Sequence, residues 1–81
     1  RRYEVMTRII YIIHLKSTGE NWHTCVCANS ESVIHVLRGY GIIRRNFGDD
    51  TSEFQEWDDP SDQTQTATVM RQRLIDYTTG S

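Results

Sequence analysis

Seven carboxylates fall between Asp49 and Asp62 with no Lys or Arg among them: Asp49, Asp50, Glu53, Glu56, Asp58, Asp59 and Asp62. Phe54 and Trp57 are set inside the run. Carboxylates fixed along a rigid surface attract basic partners, because a local field steers association whatever the net charge. They can also imitate a nucleic acid, whose duplex carries one phosphate charge per roughly 1.7 Å of axis. An exposed aromatic beside them would be the kind of anchor on which interface energy concentrates. A divalent cation is the other ligand such oxygens suit, but Asp58-Asp59-Pro60-Ser61-Asp62 has neither the spacing nor the glycine of a calcium loop. The expectation is a folded acidic surface, residues 49–62, presented to a basic, nucleic-acid-handling protein partner.

His14, His23, Cys25 and Cys27 form a second constellation. In a hairpin whose paired residue numbers sum to an odd value, His23, Cys25 and Cys27 share a face with His14, Ile12 and Ile10. Two imidazoles and two thiolates would satisfy tetrahedral zinc. His-x-Cys-x-Cys on a flat strand nevertheless spreads its ligands along a line, unlike the tight knuckles of structural zinc sites. The competing expectation is a semi-polar face buried under a helix or against a second copy of the chain, since Ile10, Ile12 and two thiols are too apolar to stay wet.

The arginines are the third set. Eight of nine basic residues are Arg, the residue suited to planar contact with phosphate or carboxylate. Arg44, Arg45, Arg71 and Arg73 could together bind nucleic acid, although few aromatics interleave them. The alternative use is pairing with the acidic window.

Catalysis lacks a signature. Three His and two Cys offer bases and nucleophiles, but no glycine-rich phosphate loop, Gly-x-Ser-x-Gly or His-Glu-x-x-His joins them. The expectation is a non-enzymatic protein with no cofactor. In size and charge the chain is comparable to small phage or mobile-element proteins that bind and block a larger machine.

The elements that must position these groups follow from the patterning. Tyr3–Lys16 alternates Ile9, Tyr11, Ile13 and Leu15 with Ile10, Ile12 and His14, the period of a strand. Turn residues 17–21 precede a second strand, Trp22–Ala28. Its expected core positions are Trp22, Val26 and Ala28, beside Ile9, Tyr11, Ile13 and Leu15. Asn29-Ser30 is an N-cap for a short helix to Arg38, with Val33, Val36, Leu37 and Tyr40 as its apolar stripe and Gly39 or Gly41 as its C-terminal cap. Ile42–Phe47 reads as a third strand. Residues 51–57 fit a fourth strand or a helical turn. Ala67, Met70, Leu74 and Tyr77 recur at i, i+3, i+7 and i+10, which predicts a closing helix, although Thr64, Thr66 and Thr68 fit a strand. The expected fold is α+β: a small antiparallel sheet in the order β-β-α-β-(β)-α with helices packed on one face.

Eighty-one residues make one domain, 1–81, with a thin core. The net charge is only −2, so the chain outside the window is basic, with nine Lys/Arg against four Asp/Glu. No apolar run approaches the roughly 20 residues of a membrane span. The first Met is Met6, and residues 1–5 read as vector-derived or as part of a longer protein. Two closely spaced thiols without a signal peptide indicate a reducing, cytoplasmic setting.

Overall fold

Alternation at period two dominates this chain, and the protein is built accordingly as one antiparallel sheet. The computed structural model describes the backbone of residues 2–80 and the side chains of residues 5–76. The elements are β1 (Arg2–Ser17), β2 (Glu20–Cys27), α1 (Ser30–Gly39), β3 (Arg44–Phe47), β4 (Phe54–Asp59) and β5 (Asp62–Gly80). The five strands lie in the order β2-β1-β5-β4-β3, every neighbouring pair antiparallel. The helix leaves one edge strand, β2, and the chain re-enters the sheet at the other edge as β3.

One face of the sheet carries the core. Tyr11, Ile13 and Leu15 of β1, Cys27 of β2, Ala67 and Val69 of β5 and Trp57 of β4 are buried there together with Val33 and Leu37 of α1 and Ile42. The helix is held at both ends by local chemistry. Asn29 Oδ1 accepts the Ser32 amide at 2.8 Å. At the other end Ile42 N–H reaches Leu37 C=O and Gly41 N–H reaches Arg38 C=O, with Gly41 at φ +77°. That is a Schellman closure, and its companion apolar contact joins buried Leu37 to buried Ile42.

The α+β arrangement with helices on one face is corrected to a five-stranded antiparallel sheet with a single short helix. Residues 62–80 form the longest strand rather than a closing helix. Ala67 and Val69 alternate with Thr66, Thr68 and Met70, and β1 supplies a partner along the whole length, from Ser17↔Gln65 to Arg2↔Gly80. Continuous ladder pairing plus burial of two side chains outweighs a helical spacing that would bury only one face against nothing. Residues 54–59 are strand, and Ile42 precedes β3 as a core residue instead of starting it.

The hairpin's facing is also corrected. Near its two-residue turn the pairs are Ser17↔Glu20 and Lys16↔Asn21, whose sums are odd. Trp22 is then an extra residue, and from Leu15↔His23 through Tyr11↔Cys27 the sums are even. A bulge of one residue reverses which side chains share a face. Cys25 and Cys27 therefore lie on the helix side with Ile13 and Tyr11. Val26, Trp22 and Ala28, expected in the core, are exposed.

Beyond β2 and β4, residues 2–10 of β1 and 72–80 of β5 continue as a two-stranded arm. The arm explains a radius of gyration of 15.4 Å and a long axis of 56 Å, against about 12 Å of radius for a compact chain of this length.

Candidate functional site: the open sheet face and its acidic edge

Among the described residues, no element covers the face opposite the helix. Registers place Val26, Ile12, Met70 and Phe54 in one row across β2, β1, β5 and β4. Phe47 of β3 is paired with Glu56, one row on, and its ring leans diagonally toward this row, its centroid 6.1 Å from that of Phe54. Val26, Phe47 and Phe54 are 66%, 58% and 38% exposed. The next row is polar, Thr24, His14, Thr68 and Glu56, and the one after it carries Lys16, Thr66 and Asp58. A shallow groove of about 330 Å³ lies over these polar rows, lined by Lys16, Asn46, Glu56, Asp58, Thr66 and Thr68 among others.

The acidic window forms the β3/β4 edge of this face and the loops around it, and its seven carboxylates divide by role. Asp58 takes both Arg44 Nε and Arg44 Nη2 at 2.8 Å, and Asp50 takes Arg45 Nη1 at 2.8 Å. These are the two ion pairs among the described residues. Asp49 Oδ1 accepts the Thr51 amide and hydroxyl and the Ser52 hydroxyl. Asp59 Oδ1 accepts the Ser61 amide, and Asp62 Oδ1 accepts the Thr64 amide and hydroxyl. Such side-chain-to-backbone bonds are what fix Asx turns. Glu53 and Glu56 take part in no ion pair among the described residues. Five carboxylates thus remain without a cationic partner on this edge.

The electrostatics follow the contacts. The Arg44 hydrogen bonds hold the Asp58 carboxyl below its ordinary range, and Arg44 is raised in turn. Hydrogen bonds from Thr51 and then Ser52 lower Asp49.

The two aromatics of the window part company. Phe54 points to the open face. Trp57 is on the helix side, buried, its Nε1–H donating to buried Gln55 Oε1 at 2.9 Å, with the Arg45 guanidinium 5.3 Å from its ring centroid. Phe47, which no carboxylate pattern singles out, stands beside Phe54 only because of the β3/β4 register, a relation invisible in the linear sequence.

The arginines do not converge on one surface. Arg44 pairs across the open face with Asp58, and Arg45 lies over Trp57 on the other side. Arg71 and Arg73 are register partners of Tyr11 and Ile9, on the helix side. Two of the four are therefore already engaged by carboxylates.

The His/Cys set is likewise divided. His14 sits on the open face, its Nδ1 3.1 Å from both Thr24 Oγ1 and Asn21 Nδ2. Cys25 and Cys27 are on the helix side, unbridged. His23 stacks on Trp22 at 5.5 Å, and Trp22 meets Tyr40 edge-on at 5.7 Å. Among the described residues no group of three or more His, Cys, Asp or Glu is placed to hold a metal ion. Burial, followed by the neighbouring Cys25 thiol, raises the pKa of Cys27, which makes it a poor nucleophile. No described helix is long and apolar enough to cross a membrane.

No family model, curated protein or solved structure matches the chain.

Proposed function

We propose that this protein is a non-enzymatic binding protein that presents the acidic β3/β4 edge, residues 49–62, to a basic protein partner of the kind that handles nucleic acid. The observation that carries the reading is the contact of two exposed rings, Phe47 and Phe54, beside Glu56, Phe47's register partner. Apolar area beside an uncompensated carboxylate, Glu56, suits a basic segment that also carries an apolar side chain. The rings would supply the desolvated centre and the acids the steering rim. Phe54, with Phe47, takes the anchoring role, while Trp57 supports the strand from beneath. A cytoplasmic setting is part of the same proposal.

The rival reading, nucleic-acid binding through Arg44, Arg45, Arg71 and Arg73, is less well supported because Arg44 and Arg45 are occupied by Asp58 and Asp50. A gel-shift series with generic DNA and RNA separates the two: an acidic binding surface retards neither. For the leading reading, the chain and its Glu53→Gln/Glu56→Gln and Phe47→Ala/Phe54→Ala variants are used as bait for co-purifying proteins at low and physiological salt. A specific basic partner should be lost from both variants and weaken as salt rises. Retention by both variants would sink the proposal. Glu53 and Glu56 are the acids to change, because replacing Asp58 also breaks the Arg44 pair.

A further inference from the structure

The arm presents bare strand edges. On the β2 side, residues 2–10 of β1 have no strand neighbour among the described residues, because β2 ends at Cys27 opposite Tyr11. Nine residues at about 3.3 Å each give an edge close to 30 Å long. Every second residue on it aims its N–H and C=O outward. Two devices that protect an edge are missing: among the described residues the β1/β5 register runs without a bulge and no Pro interrupts residues 2–10, while the charges there are Arg2, Glu4 and Arg8, of mixed sign. Val5 and Met6 are more than half exposed. A two-stranded ribbon is marginal by itself in water, and a third strand changes that.

We propose that this edge is a self-association surface: two copies join β1 to β1, antiparallel, about a two-fold axis at Met6, so that one sheet runs through both. The sequence of the edge is self-complementary in that register. Residue numbers of facing positions then sum to twelve. Position 4 faces position 8, and these are Glu4 and Arg8, of opposite charge. Position 3 faces position 9, an aromatic against a β-branched residue, Tyr3 and Ile9, and Val5 faces Thr7, both β-branched. Sliding the pairing two residues toward the start of the chain sets Arg2 against Arg8, a like-charge pair. A contact in which residue i meets j and j meets i closes as a dimer, with no further copy required. The occupant is therefore a second copy of this chain.

Sedimentation velocity on the full chain should give a concentration-dependent dimer. Val5→Lys/Met6→Lys, at two exposed positions, should leave a folded monomer with an unchanged circular dichroism spectrum, whereas Leu74→Lys/Ile75→Lys on the β5 strand of the arm should still dimerise. Met6→Cys reports the axis directly. A short bismaleimide should link it into a covalent dimer, and the parent chain, with only Cys25 and Cys27, should not link. A monomer at every concentration overturns the proposal. So does a dimer that withstands the β1 lysines, or a dimer in which Met6→Cys fails to cross-link.

Discussion

Arg44 and Asp58 face each other across β3 and β4 as a two-pronged pair, Nε to Oδ1 and Nη2 to Oδ2, both at 2.8 Å. The pair ties the edge strand to its neighbour on the open face, while Arg45 and Asp50 tie the same strand to the following loop on the other side. One consecutive dipeptide thus anchors two opposite surfaces. It consumes in structure two charges that could otherwise serve recognition.

Acid should weaken the fold through this pair. The native pKa of Asp58 lies below its unfolded value, so its stabilising contribution is present above about pH 4 and is lost as pH falls through the depressed native value. Asp49 acts in the same direction through Thr51 and Ser52. Asp58→Asn should have a lower urea midpoint than the parent chain at pH 7, with the gap closing toward pH 3. A gap independent of pH would contradict this account.

The two sides of the sheet should differ sharply on truncation. Leu37 is fully buried, so Leu37→Ala should cost about 2–5 kcal/mol and lower Tm by roughly 10 °C or more. Val26→Ala, on the open face, should change stability by less than about 0.5 kcal/mol. Thermal melts of the two variants test which side of β2 packs under the helix.

Thiol chemistry tests the bulge. Cys25 is partly exposed and Cys27 is buried with a raised pKa. With limiting iodoacetamide under native conditions, mass spectrometry should find Cys25 modified well before Cys27, and in denaturant the difference should disappear. Equal native rates would mean that β2 does not pack as described.

Gly48 is held at φ +83°, and a Cβ there would stand 2.5 Å from the Phe54 carbonyl oxygen. Gly48→Ala should therefore destabilise by more than about 1 kcal/mol. By displacing the start of β4 it should also disturb the Phe47–Phe54 contact, which the denaturation midpoint and the near-ultraviolet circular dichroism spectrum can follow separately.

Local chemistry was legible in the chain: the Asn29 cap, the turn at Thr18-Gly19 and the Val33/Leu37 stripe each depend on neighbours a few residues away. The parity of the β1/β2 hairpin was not, because a single bulged residue at Trp22 reverses it and no composition marks a bulge. The closing segment misled for a related reason. Ala67, Met70, Leu74 and Tyr77 carry helical spacing, yet a partner strand some 50 to 80 residues earlier decides their conformation. The acidic run was visible as charge, but its division into ion pairs, turn caps and uncompensated carboxylates depends on registers set by that same distant pairing.

The position of β5 between β1 and β4 has a kinetic consequence. Until residues 62–80 exist, the β1–β2 hairpin and the β3–β4 pair share no hydrogen-bonded neighbour, and the central seam of the sheet is missing. Contacts as remote as Arg2↔Gly80 must close nearly the whole chain into a loop, and loop closure of that span slows folding. On the ribosome, the apolar alternation of β1 would wait without its long partner until the last strand emerges. The sheet is expected to assemble in one late step, once residues 62–80 are available.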